Sequence, residues 1–142
     1  MSSTTEQTEG VVRAWFAAVG AGDLPGAFDL MADDIEWVNH NDVPGEAQTL
    51  PWIGTFHGKE EIERSFEIFH GLAEIEFSDL TDLVVQDDQA FATLHERARF
   101  TASGRSFETQ YAEWLKVSDG LITNWRIYVD PTPMIHAIRG RI

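Results

Sequence analysis

The sequence predicts an α+β domain: a curved antiparallel sheet and three helices in the N-terminal half, forming a cone with a central pocket. Three observations predict it. Apolar residues recur at helical spacing through the first half of the chain. Strand-like alternation fills the second half, and helices followed by antiparallel strands make an α+β domain. No repeat, linker or low-complexity tract divides the 142 residues, so 1–142 reads as one domain.

The elements follow in order. Ser3, Thr4, Thr5 and Glu6 form a capping box that opens a helix. Val12, Trp15, Phe16 and Val19 give it an apolar face, and Gly20 or Gly22 ends it. Asp23 caps a second short helix, with Pro25 in its first turn and Phe28 and Met31 on the buried side. A strand is expected over 35–39. A long irregular loop then runs over 41–56, the length at which loops are often functional. The third helix is expected over 59–70, with Ile62, Phe66 and Phe69 as its stripe and Gly71 just past its end. Strands follow over 74–78, extending toward 85, then 90–101, 106–117 and 121–129. A short helix starts after Asp130, which is expected to cap it.

Composition narrows the partners. Net charge is −14, from 24 acids against 10 bases. That disfavours nucleic acid and anionic membrane surfaces, both of which need basic protein. There is no Cys, which removes disulfides and thiolate chemistry. No HExxH or comparable spacing joins His40, His57, His70, His95 and His136, so neither a metal nor another cofactor is expected. No signal peptide and no membrane helix are read, so the cytoplasm is the expected compartment. Five Trp, nine Phe and two Tyr suit the wall of a cavity for a small hydrophobic molecule.

Alternation assigns the strand faces. Ala92, Leu94, Glu96, Ala98 and Phe100 share the apolar, inner face of their strand, which leaves His95, Arg97 and Arg99 outside. A short turn at Ser103-Gly104 would set Glu96 opposite Tyr111. A three-residue loop Ser118-Asp119-Gly120 would set Glu113 opposite Trp125. The inner face then holds Glu96, Tyr111, Glu113, Trp125 and Ile127. Burial and a neighbouring carboxylate both raise a carboxyl pKa, so Glu96 and Glu113 form a candidate acid/base pair. The alternative is a structural acid held by Tyr111, by the Trp125 N–H or by water. His40 and Asp42 could act at the pocket mouth or be solvated loop residues. Trp52 and Phe56 could be a lid or could pack the loop on the sheet edge.

The run from Val11 to Leu24, the segment Leu30-Met31-Ala32-Asp33-Asp34-Ile35, the helix entry Phe56-His57-Gly58-Lys59 and the strand Gly120 to Asp130 resemble the SnoaL-like and ketosteroid isomerase-like superfamily. This is also called the nuclear transport factor 2-like fold, and the likeness spans nearly the whole chain. The fold hosts many unrelated functions. Ketosteroid isomerases use a strand Asp as base, with a helix Tyr and a protonated Asp as oxyanion donors. The resemblance sets Asn39 at the base, Trp15 at the Tyr and Glu113 at the second acid, so that route to steroid isomerisation is not implied. Against limonene epoxide hydrolase-like members, Asn39 matches a water-holding Asn, Trp37 stands at a Tyr and Ile127 at an Asp. An alignment that turns Arg97 inward in place of Glu96 stays open. The resemblance further implies a homodimer.

The expected catalytic residues are therefore Glu113, Glu96 and Asn39. Tyr111, Trp37, Trp15, Phe16, Trp52, Phe66, Trp125 and Ile127 are expected to line the pocket. The expected activity is acid/base isomerisation, hydrolysis or cyclisation of a small apolar oxygenated molecule. A non-catalytic binding or dimerisation domain is the alternative.

Overall fold

The computed structural model describes residues 3–39 and 43–140. His40 and Asp42, candidates at the pocket mouth, lie outside the described residues. Helix α1 (Ser3–Gly20) buries Thr5, Thr8, Val12 and Trp15 at helical spacing. It already runs at Ser3, so its cap also lies outside the described residues. Asp23 caps α2 (Leu24–Asp29) by accepting from the Gly26 N–H at 3.0 Å. Strand β1 (Met31–Asn39) begins four residues before the expected start. Its extension is secured where the Ile122 N–H donates to the Leu30 carbonyl at 2.8 Å.

The expected loop contains a short strand, β2 (Gly54–His57), paired antiparallel with β1. Helix α3 (Lys59–Leu72) runs through Gly71, and Ala73 in extended conformation ends it. Strands β3 (Ala73–Gln86), β4 (Gln89–Phe100), β5 (Ser106–Ser118) and β6 (Leu121–Tyr128) form the meander. Helix α4 (Thr132–Arg139) closes the description, and the Asp130 carboxylate accepts from the Thr132 N–H at 3.0 Å beside its first turn.

The six strands form one sheet in the order β2-β1-β6-β5-β4-β3. The fold class is the expected α+β one, with a refinement: β1 lies parallel to β6, so the curved sheet is mixed. Strands joined through α3 and four further strands carry no hairpin constraint, and only the short links in the meander enforce antiparallel pairing.

Both hairpin registers differ from expectation by two residues. The β4–β5 connection is a loop of residues 101–105 rather than a two-residue turn, with the Phe100 N–H donating to the Arg105 carbonyl. Glu96 therefore pairs with Thr109 and Tyr111 with Leu94. The β5–β6 turn is two residues, Asp119 (φ 53°) and Gly120 (φ 79°), the left-handed pair that a tight hairpin needs. That turn moves the register by one residue and an irregularity between Lys116 and Val117 by one more, so Glu113 pairs with Ile127 and Leu115 with Trp125. At the level of the polar residues both shifts are even, so Glu96, Tyr111, Glu113, Trp125 and Ile127 keep their expected face.

Helix α1 is stitched to the far hairpin. The Thr8 hydroxyl donates to the Asp87 carbonyl at 2.6 Å, and the Asp87 N–H donates to Thr5 Oγ1 at 2.9 Å. On the outer face, one row crosses five strands through Val84, Phe91, Trp114, Arg126 and Val38. Val84 (65%), Phe91 (55%) and nearby Tyr128 (55%) are widely exposed. Arg126 lies over the Trp114 ring at 4.9 Å. The edge strand β3 carries two bulges and the acids Glu74, Glu76, Asp79 and Asp82. Both features discourage pairing with another chain.

Thr8 is fully buried. Thr8→Val should keep the shape but orphan the Asp87 carbonyl, lowering stability by about 1–2 kcal/mol in urea unfolding.

Candidate functional site

Cross-strand pairing arranges the inner face in rows. Trp37, Trp125, Leu115 and Ala90 form one row. Asn39, Ile127, Glu113 and Ala92 form the next. Tyr111 and Leu94 follow, then Thr109, Glu96 and Ser78, then Phe107 and Ala98. Along these rows the buried apolar residues divide into two groups. The first holds Val12, Trp15, Ile35, Trp37, Ile62, Leu115 and Trp125, with Phe16, Phe66 and Ile127 packed against it. The second holds Leu50, Trp52, Ala98, Phe100, Phe107, Met134 and Ala137, with Phe69 and Val129 against it. Glu113, Tyr111, Thr109, Glu96 and Ser78 form a polar band between the two.

Alternation explains why the polar residues point inward. Glu96, Thr109, Tyr111 and Glu113 each occupy the same parity as the core residues of their strand, so solvating one would require turning the whole strand over, and a bulge in β3 turns Ser78 to the same side. Glu113 is buried, and its Oε1 accepts from the Trp125 Nε1–H at 2.7 Å. The Trp37 ring stacks on Trp125, with centroids 3.7 Å apart and an interplanar angle of 11°. Trp15 lies 6.1 Å from Trp37 and 6.4 Å from Trp125, and Phe66 meets the edge of Trp37 at 5.4 Å. The Tyr111 hydroxyl is 3.5 Å from the Ser78 hydroxyl.

Burial pushes the Glu113 carboxyl up to about 8. The Trp125 hydrogen bond pulls it down, and the Glu96 charge adds a smaller upward push. Burial pushes Glu96 to about 7. Burial, then Glu113 and Glu96, hold the Tyr111 phenol well above its ordinary value. At neutral pH Glu113 and Tyr111 are hydrogen-bond donors, and Glu96 is poised between its two forms. That is the pairing acid/base chemistry requires.

The other predicted residues fall as follows. Glu96, not Arg97, takes the inner position. Arg97 points outward, its Nε donating to Glu76 at 2.8 Å, with Glu108 at 3.4 Å. Asn39 shares the Glu113 row, half-buried two strands away. Trp52 belongs to the second apolar group, against Phe69 at 5.0 Å and Phe100 at 6.0 Å. The expected Glu96–Tyr111 and Glu113–Trp125 facing pairs are replaced by neighbours one step along the strand. Glu96 and Glu113 are thus four positions apart along the strands, roughly 13 Å at the backbone. Ser78 is the site residue the sequence reading missed, because the β3 bulges break the alternation that would have revealed it. Among the described residues, no group of three or more acids or histidines could hold a metal ion. Among them also, no helix is long and apolar enough to cross a membrane.

The SnoaL-like domain pattern matches residues 12–125. The chain belongs to the SnoaL-like domain family. Solved structures agree on the fold. An NTF2-like protein from Burkholderia xenovorans LB400 is 24% identical, with TM-score 0.78 over 94% of this chain and 97% of that one. An NTF2-like protein from Burkholderia thailandensis E264 is 21% identical, with TM-score 0.81 over 97% and 98%. TerC, co-crystallised with polyporic acid, is 16% identical, with TM-score 0.77 over 94% and 98%. No curated protein matches the chain.

The raised carboxyls set the pH dependence of stability. The folded protein keeps protons on Glu96 and Glu113 that the unfolded chain releases near 4.5. Their contribution is fully present below about pH 4.5 and is lost as pH rises through about 7 and about 8. Urea midpoints should fall from about pH 5 to about pH 9, and Glu113→Gln should flatten the alkaline part of that fall.

Proposed function

We propose that the chain is an enzyme that moves protons on a small, largely apolar, oxygen-bearing molecule held between its two apolar groups. One observation carries this reading: two carboxyls raised to about 7 and about 8 on a polar band inside the sheet. Glu113 donates its proton to an oxygen of the ligand, and Glu96 accepts a proton from another position on it. Tyr111 supplies a second donor, and Asn39 orients a carbonyl, hydroxyl or water from β1, two strands away in the Glu113 row. Trp15, Phe16, Trp37, Phe66 and Ile127 wall the ligand. Such an arrangement serves isomerisation, hydrolysis and cyclisation alike.

Turnover should be sought on a panel of oxygenated aromatic molecules that includes polyporic acid, with which TerC was co-crystallised. With a turned-over member, Glu113→Gln should lower kcat by about 10²-fold or more while the protein stays folded, the usual range for losing a general acid. Unchanged turnover would remove Glu113 from the chemistry. A non-catalytic binder is the second reading, favoured by the Trp125 bond to Glu113, since a structural acid needs such a partner. Binding of panel members without turnover of any would select it.

We further propose that the outer face is where two copies of the chain meet. Exposed Val84, Phe91 and Tyr128, with Arg126 laid over Trp114, form an aromatic and arginine surface of the kind that anchors interfaces. Sedimentation should find a dimer, and Phe91→Glu should convert it to monomer. A monomeric parent protein would refute this.

A further inference from the structure

The Trp125 ring does more than wall the interior. A neutral carboxylic acid has one accepting oxygen and one hydroxyl, and an indole N–H can only donate. The carbonyl oxygen is the better acceptor of the two, so Trp125 Nε1 on Glu113 Oε1 at 2.7 Å favours the Glu113 proton on the other oxygen. The indole cannot swing away, because Trp37 covers its face and Trp15 stands 6.4 Å off. Trp37 and Trp125 are both almost fully buried.

We propose that Trp125 is the positioning residue for Glu113: its indole N–H, clamped by the stacked ring of Trp37, fixes which carboxyl oxygen donates. This rests on reading Glu113 as a proton donor. Trp125 also tunes the acid, because a donor stabilises the ionised carboxylate and draws its titration down toward neutrality. Among the described residues, the other titratable groups acting around Glu113 are Glu96 from β4 and Tyr111 from β5. The neighbouring Trp15, Phe16, Phe66, Trp37, Asn39 and Ile127 do not titrate.

The test is a ¹³C-carboxyl NMR titration of Glu113, which needs no ligand. In Trp125→Phe, which keeps an aromatic ring and loses the N–H, the Glu113 midpoint should rise by about one unit. In Trp37→Leu, which leaves the N–H but unclamps it, the midpoint should rise less. An unmoved midpoint in Trp125→Phe overturns the proposal. Should that variant fail to fold, the parent protein decides: the Trp125 indole ¹H–¹⁵N resonance must shift with the Glu113 midpoint, and a silent indole overturns the proposal as well. Loss of turnover in Glu113→Gln alongside an unmoved Trp125→Phe titration would sink the positioning role and leave the donor standing.

Discussion

The parallel pairing of β1 with β6 is the constraint on which the interior depends. It brings the first strand of the sheet against the last, setting Trp37 on Trp125 and Asn39 beside Ile127. Without it the meander would be a four-stranded ribbon with β6 as an open edge, and Trp125 would lack the ring that holds it flat. The aromatic stack, the buried hydrogen bond to Glu113 and the first apolar group all follow from that one alignment. Helices α1 and α3 then cover the result with Val12, Trp15, Ile62 and Phe66.

Burying Glu113 works against folding. Removing a carboxyl from water costs free energy unless it is neutralised and hydrogen-bonded. Here it is both, protonated near neutral pH and bonded to an indole. The bases that pair across the outer face, Arg97 with Glu76 and Glu108, and Arg99 with Glu74, are on the other side of the sheet. The two sides thus have opposite electrostatic character: paired ions in water outside, neutral donors in an apolar interior inside.

The sequence made faces legible and distances less so. Alternation placed Glu96, Tyr111 and Glu113 inward and Arg97 outward, because parity along a strand is a local property. Register at the polar residues differs from expectation by two at both hairpins, because it depends on turn length and, between β5 and β6, on an irregularity at Lys116 and Val117 as well. The Ser103-Gly104 dipeptide sits in a five-residue loop, and Asp119-Gly120 alone makes the tighter turn. The β1–β6 pairing and strand β2 were illegible, since both depend on contacts between distant segments. The sequence leaves Trp52 open between a lid and a packing role for its loop, and its place beside Phe100 is set by the path of the 43–53 loop.

The stitch between helix α1 and the β3–β4 turn joins groups 79 and 82 positions apart in the chain. The β1–β6 pairing spans a similar separation. Contacts this remote close large loops, and chain entropy makes such closures slow. The meander can assemble from neighbouring strands early, through its short turns. The interior around Glu113 is complete only after the N-terminal third of the chain has returned to it. A chain emerging from the ribosome N-terminus first must therefore leave Trp15 and Trp37 without their partners until the last strand is made. Over that interval these two indoles are apolar surface open to any passing chaperone or to aggregation.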